Sequence, residues 1–147
     1  MELDQTYLEI LRHLKDGSKS YKAISQEMGI TENTVRIRAN KLIQEGVLKL
    51  SGLVDPTSLP NHQLTILGVK LNTTELFKKG EELSRLKGVI SVGVATGRYD
   101  LIMLVLVNEG FTLMRFFTEE ITKVQDIQNA ETFGVYHGYN FWVPYVL

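Results

Sequence analysis

Cysteine is absent from the 147 residues, which excludes disulfides and any metal or redox chemistry built on thiolates. No apolar run reaches the roughly 18 residues that a membrane-spanning helix needs. The chain starts with an acidic amphipathic segment rather than a basic, apolar leader, so neither secretion nor membrane insertion is expected and the cytoplasm is the default location. A surplus of one charge is missing too. Lys+Arg 16 against Asp+Glu 17 leaves a net −1, and whole-chain composition therefore gives no hint of a nucleic-acid partner. His13, His62 and His137 are scattered without metal-ligand spacing and read as surface or packing residues. No glycine-rich phosphate loop, nucleophile elbow or paired-carboxylate motif stands out, so no enzyme, metal or cofactor is expected. The 44% hydrophobic content can fill one ordinary core or two small ones, and the pattern along the chain favours two.

What is present is local. Residues 29–46, GITENTVRIRANKLIQEG, read as a turn and helix. Thr31 can cap it, Gly29 suits a tight turn before it and Gly46 stops it. Val35, Ala39 and Leu42 recur at helical spacing toward a core, which places Asn33, Arg36, Ile37, Asn40 and Lys41 on the outer faces. Upstream, Leu3, Tyr7, Ile10, Leu11 and Leu14 form the stripe of a first helix ended by Asp16-Gly17. Ser20 caps a short second helix with Ile24 and Met28 inward. Residues 47–52 are too short for a helix and are expected to form a small strand and turn, or wing. Between Ser18 and Leu50, Lys19, Lys22, Arg36, Arg38, Lys41 and Lys49 oppose Glu27, Glu32 and Glu45. This local excess of three positive charges, together with three helices in order and a wing, is the pattern of a winged helix-turn-helix over residues 1–52 that meets double-stranded DNA, best as a dimer that doubles its charge.

Residues 53–62, with Pro56 and Pro60 among turn-favouring polar residues, read as a linker. Beyond it, strands are expected at 63–71, 88–96, 100–107 and 127–136, with helices at 74–86 and 111–121. The order βαββαβ predicts an α+β, ferredoxin-like domain over residues 63–147, with two helices on one face of an antiparallel sheet. Ile102, Leu104 and Leu106 alternate with Leu101, Met103, Val105 and Val107, so this strand is apolar on both faces. Cover by a second copy, a homodimer, is the expected solution.

Taken together, the chain resembles the Lrp/AsnC, or feast/famine, family of transcriptional regulators. The resemblance is carried by Leu3-Asp4 with Ile10-Leu11 and Leu14, by Asp16-Gly17, by residues 28–42, by Glu45-Gly46-Val47-Leu48 and by Asp55-Pro56. In the second domain it is carried by Gly88-Val89, Thr96-Gly97-Arg98-Tyr99-Asp100 and Glu131-Thr132. It implies a winged helix-turn-helix joined to a RAM- or ACT-like regulatory domain, dimers that assemble further into tetramers or octamers, and binding of an amino acid or related small molecule at interfaces between regulatory domains. Where the family often carries paired arginines, this chain has Ile37 and Arg38, and Asn40 occupies a further basic position. Residues 139–147, YNFWVPYVL, form an apolar aromatic tail where many members are polar, suited to packing on a dimer or extending an assembly.

The chemistry of each residue suggests a role on DNA. Arg36 can give two donors to guanine, Asn33 or Asn40 can pair with adenine, and Ile37 can touch a thymine methyl. Arg38, Lys41 and Lys22 suit phosphates, and Ser20 and Tyr21 add neutral donors at the start of the second helix. For the loop 96–100, chemistry alone leaves two readings. Either Gly97 lets a ligand carboxylate approach backbone N–H groups while Asp100 attracts an ammonium, or the loop is a tight turn whose Asp bonds its own backbone. The family resemblance favours the first, with Thr96 and Tyr99 beside the ligand and Thr118, Gln125, Asp126 and Thr132 as contributors from a neighbouring subunit. Two rivals share the architecture: enzymes similar to siroheme decarboxylases, and a small-molecule sensor that has lost DNA binding.

Overall fold

The computed structural model describes residues 2–147. The chain divides into two compact units, Met1–Ser51 and Gly52–Leu147. The first holds helices α1 (Gln5–Leu14), α2 (Tyr21–Met28) and α3 (Glu32–Gln44). Each begins at a side-chain cap that satisfies an orphan backbone donor: Asp4 accepts from the Tyr7 N–H, Ser20 from Ala23 and Thr31 from Thr34. Gly29, at φ 65, closes α2 in the left-handed conformation and makes the turn into α3 possible. Ile10, Ile24, Val35, Ala39 and Leu42 are fully buried, so the expected stripes do form the core. Leu3 lies outside it, exposed ahead of the cap.

The strand expected over residues 47–52 does not form. After Gly46, at φ 70, the N–H groups of Val47 and Leu48 both donate to the Leu42 carbonyl at 2.9 and 3.0 Å, and Leu48 packs under the helices. The end of α3 thus takes up donors that a strand would have used. The residues read as a linker are folded as well. Leu53–Val54 form strand β1, which pairs antiparallel with β6 (Val143–Pro144), and a single 3₁₀ turn at Pro56–Ser58, capped by Asp55, buries Pro56.

The main sheet of the second unit contains β2 (His62–Leu71), β3 (Val89–Val94), β4 (Leu101–Asn108) and β5 (Ile127–Val135) in the order β3-β4-β2-β5, all antiparallel. This is the ferredoxin-like arrangement that the βαββαβ pattern predicts. One face carries Leu67, Val69, Leu71, Leu101, Met103, Val105 and Val107, packed with Leu83 of α4 (Leu76–Ser84) and with Phe116 and Ile121 of the last helical segment. That segment is less regular than its apolar spacing indicates. It starts as α5 (Leu113–Arg115), capped by Thr112, and widens over Phe116–Glu120, where the Ile121 N–H reaches back to the Phe116 carbonyl. The hydroxyls of Thr118 and Thr122 fold onto the carbonyls of Met114 and Thr118 at 3.0 and 2.9 Å, which helps the wide turn satisfy its acceptors.

The opposite face departs from expectation in one respect, because the chain covers part of it with its own tail. Leu64 and Leu106 are buried in a cluster with Val143, against which Val54, Phe141 and Val146 pack. The aromatic tail is therefore seated on its own sheet, with Tyr139, Trp142 and Tyr145 turned outward. The remainder of that face, around Ile66, Ile102, Leu104 and Phe133, is only partly covered; Ile102 and Phe133 stay 38% and 44% exposed.

Candidate nucleic-acid interface and effector loop

In the first unit α3 is anchored through Val35, Ala39 and Leu42, and the same register leaves Asn33, Arg36, Ile37, Asn40 and Lys41 exposed on its outer faces. These five of the nine residues expected to meet DNA thus share an accessible helix surface. Ile37, 59% exposed, has no packing role there. Ser20 uses its oxygen as the cap of α2, leaving its hydroxyl proton available, while Lys22 is exposed. Tyr21 packs against the core as well as flanking the start of α2.

Arg38 does not fit the phosphate role. Its Nη1 donates to both carboxylate oxygens of Asp4 at 2.7 and 2.8 Å, and its guanidinium lies 4.5 Å from the centre of the Tyr7 ring. The hydrogen bonds from Arg38 and from the Tyr7 N–H hold the Asp4 carboxyl below the usual carboxylate range. Arg38 therefore ties α3 to the start of α1. Arg36 is paired too, with its Nη2 2.5 Å from Oε1 of Glu32 one turn earlier. Lys19 donates to Glu27 at 2.6 Å and lies 3.1 Å from Nδ1 of His13. Among the described residues of this unit Arg12, Lys15, Lys22, Lys41 and Lys49 form no ion pair, and of these Lys22, Lys41 and Lys49 lie in the segment 18–50, where they are the cations most open to a polyanion.

In the second unit the loop between β3 and β4 has two properties that the sequence indicated and one that it did not. Thr96 and Gly97 are exposed and Gly97 sits at φ 111, a conformation that an L side chain adopts only with strain. Asp100, however, is already committed. Its Oδ1 accepts from Nζ of Lys70 and its Oδ2 from the Leu71 N–H, each at 2.8 Å. Those two hydrogen bonds hold its carboxyl below the usual range. The carboxylate braces the loop against β2 and is not free for a ligand's ammonium.

Tyr99 lies over the sheet. A Cβ on Gly68 would come within 2.6 Å of the Tyr99 ring, so the absence of a side chain at Gly68 is what lets the ring lie flat there. The ring meets Phe133 edge-on at 6.3 Å, and its hydroxyl donates to Glu131, to which Arg98 also pairs at 3.4 Å. Arg98 lies in the expected loop but carried no expected role, and Lys70 and Glu131 were not among the residues expected around it; the strand register that brings Gly68 opposite Glu131 is the signal that could have found the last.

The other expected contributors divide. Asp126, at φ 66, joins the same end of the sheet. Its carbonyl accepts from the Asn72 N–H at 2.8 Å and its carboxylate lies 3.3 Å from Lys79, next to the Leu71 that Asp100 grips. Gln125 is exposed beside it. Thr132 is exposed halfway along β5, opposite Leu67, and Thr118 is exposed with its hydroxyl turned back on its own helix. Within one copy, neither is bonded to the loop.

Residues 3–49 match the family model of winged helix-turn-helix DNA-binding domains. A helix-turn-helix transcriptional regulator of Pyrococcus horikoshii is 34% identical over 134 residues, spanning 90% of this chain and 85% of the relative. The structure of AsnC from E. coli superposes with a TM-score of 0.68 at 21% identity, covering 94% of this chain and 95% of that one. The chain belongs to the Lrp/AsnC family of transcriptional regulators. The structure of a transcriptional regulator from Neisseria meningitidis in complex with L-Met also superposes, with a TM-score of 0.67 at 17% identity over 91% of this chain and 90% of that chain. As a member of the family the protein is a DNA-binding transcription regulator, and α3 is its recognition helix by position, second in the helix-turn-helix and facing outward. No helix among the described residues is long and apolar enough to cross a membrane.

Proposed function

We propose that this DNA-binding regulator is switched by an amino acid or a related small metabolite bound at the 96–100 loop, and that it acts in the cytoplasm as a homodimer or larger assembly. The observation that carries the reading is the exposed turn at Gly97, held at φ 111 by the Asp100 brace. Such a turn leaves backbone N–H groups open to a carboxylate with no side chain in the way. The L-Met held by the Neisseria regulator of similar fold supports an amino acid as the ligand class. Asp100 then shapes the loop and a neighbouring copy supplies other contacts, with Thr118, Gln125, Asp126 and Thr132 as candidates. Regulation by this route needs binding alone, with no chemical step and no cofactor. The ligand alters DNA binding by favouring one arrangement of subunits over another.

Selecting genomic fragments bound by the full chain, with and without a pool of amino acids, tests the proposal. Occupancy of a subset of fragments is expected to change with one amino acid, and Gly97→Val is expected to lose that response while keeping basal binding. An identical fragment profile with every amino acid, paired with calorimetry that detects no binding, overturns it.

A further inference from the structure

Glu32 and Arg36 lie one helical turn apart on the exposed surface of α3, with Nη2 of the arginine 2.5 Å from Oε1 of the glutamate. Neither is buried, Arg36 being 51% and Glu32 42% exposed, so packing does not force the pair together. The segment 18–50 shows a matching division of labour. Arg38 is held by Asp4 and Tyr7, and the cations of that segment without an ion pair, Lys22, Lys41 and Lys49, are all lysines; outside it Arg12 and Lys15 are also without an ion pair among the described residues. We propose that Glu32 is a positioning residue that directs Arg36 toward base edges and away from phosphates, so that sequence preference depends on Glu32 acting through Arg36.

The argument is electrostatic. A guanidinium carries five donors in a planar fork, so a carboxylate on one edge leaves others free. Guanine presents O6 and N7 as a pair of acceptors with no net charge, and Glu32 does not oppose that approach. A phosphate brings a negative charge to a guanidinium that is already neutralised and flanked by a carboxylate, and it is repelled. Arg36 therefore adds little to sequence-independent binding, which rests on the unpaired cations and on the counterions they release. The alternative role for Glu32 is to stabilise the helix, as an acid in its first turn and as an i,i+4 partner. That role would move thermal stability without moving base preference.

The inference rests on Arg36 as the base-reading residue, and the test separates the two. The probes are a duplex selected from a random-sequence pool by the wild-type chain and the unselected pool itself, with wild type, Arg36→Ala, Glu32→Gln and the double variant compared as full chains of verified thermal stability. Arg36→Ala is expected to weaken the selected duplex by about 10-fold or more with little change on the pool. Glu32→Gln is expected to tighten the pool by about 3-fold, to steepen its salt dependence by about one charge, and to lower the ratio of selected to unselected affinity. In the Arg36→Ala background the same change should leave that ratio unaltered. Reselection with Glu32→Gln should relax preference at the base position that Arg36→Ala relaxes. If Glu32→Gln leaves the ratio intact, or lowers it equally in both backgrounds, Glu32 does not act through Arg36 and the proposal fails. If Arg36→Ala itself leaves base preference unchanged, the reading of Arg36 fails first and this inference falls with it.

Discussion

The two units differ in what they leave unpaired. In the first, acids hold two arginines and Lys19, while Lys22, Lys41 and Lys49, with Arg12 and Lys15 nearer the start of the chain, stay without ion pairs among the described residues. In the second, the charges around the 96–100 loop satisfy one another, and what stays uncovered is an apolar strip of sheet around Ile102 and Phe133. A surface of unpaired lysines is complete as a folded body and attracts a polyanion from a distance. An apolar strip has no long-range pull, and its cover must come from close-fitting surface of similar character. The contrast teaches that DNA contact and the proposed assembly would draw on different forces, so salt and substitution should separate them.

The largest effects are expected on β4, where covered and uncovered positions alternate with the tail's reach. Leu106 is fully buried under the tail, and Leu106→Glu should cost about 3 kcal/mol or more, because an unpaired carboxylate would replace a packed methyl-bearing chain. Thermal unfolding should then show the second unit melting early. Ile102 is 38% exposed, and Ile102→Glu should instead leave the fold intact and shift sedimentation toward smaller species. A wild-type chain that sediments as a monomer at micromolar concentration would remove the basis for the contrast.

Next in size is the division between Arg38 and Lys41 in the first unit. Arg38→Ala removes the Asp4 pair and the contact with the Tyr7 ring, so the melting temperature should fall by a few degrees with the salt slope of DNA binding nearly unchanged. Lys41→Ala should do the opposite, leaving stability alone and reducing that slope by about one. Swapped outcomes would mean that Arg38 leaves Asp4 to meet phosphate when DNA arrives.

Periodicity made most of this legible. The spacing of Val35, Ala39 and Leu42 placed the outer face of α3, and alternation along β4 placed its two faces, because both patterns follow from backbone geometry alone. Partners distant in sequence were not legible. Nothing near Arg38 points to Asp4, 34 residues away, and nothing near Asp100 points to Lys70 and Leu71. The pairing of Leu53–Val54 with Val143–Pro144 joins the two ends of the second unit, and a segment with Pro56 and Pro60 reads as a linker until that partner is known. Glu32 and Arg36 were within reach, since four residues is the spacing of a helical ion pair.

The smallest expected effect concerns the acid that braces the loop. Asp100 has its pKa lowered first by the hydrogen bond from Lys70 and then by that from the Leu71 N–H, and a carboxylate bound more tightly in the folded state favours folding only while it is ionised. Its contribution is therefore fully present above the ordinary carboxylate value of about 4 and is lost as pH falls through the lower folded value. Wild type should lose stability below about pH 4 more steeply than Asp100→Asn, which has no proton to take up at this position. The variant should also be the less stable of the two near neutral pH, since a neutral amide pairs less well with Lys70. Parallel acid-melting curves for the two proteins would show that Asp100 contributes no pH-dependent brace, and the rigidity of the Gly97 turn would then have to come from Tyr99 seated on Gly68.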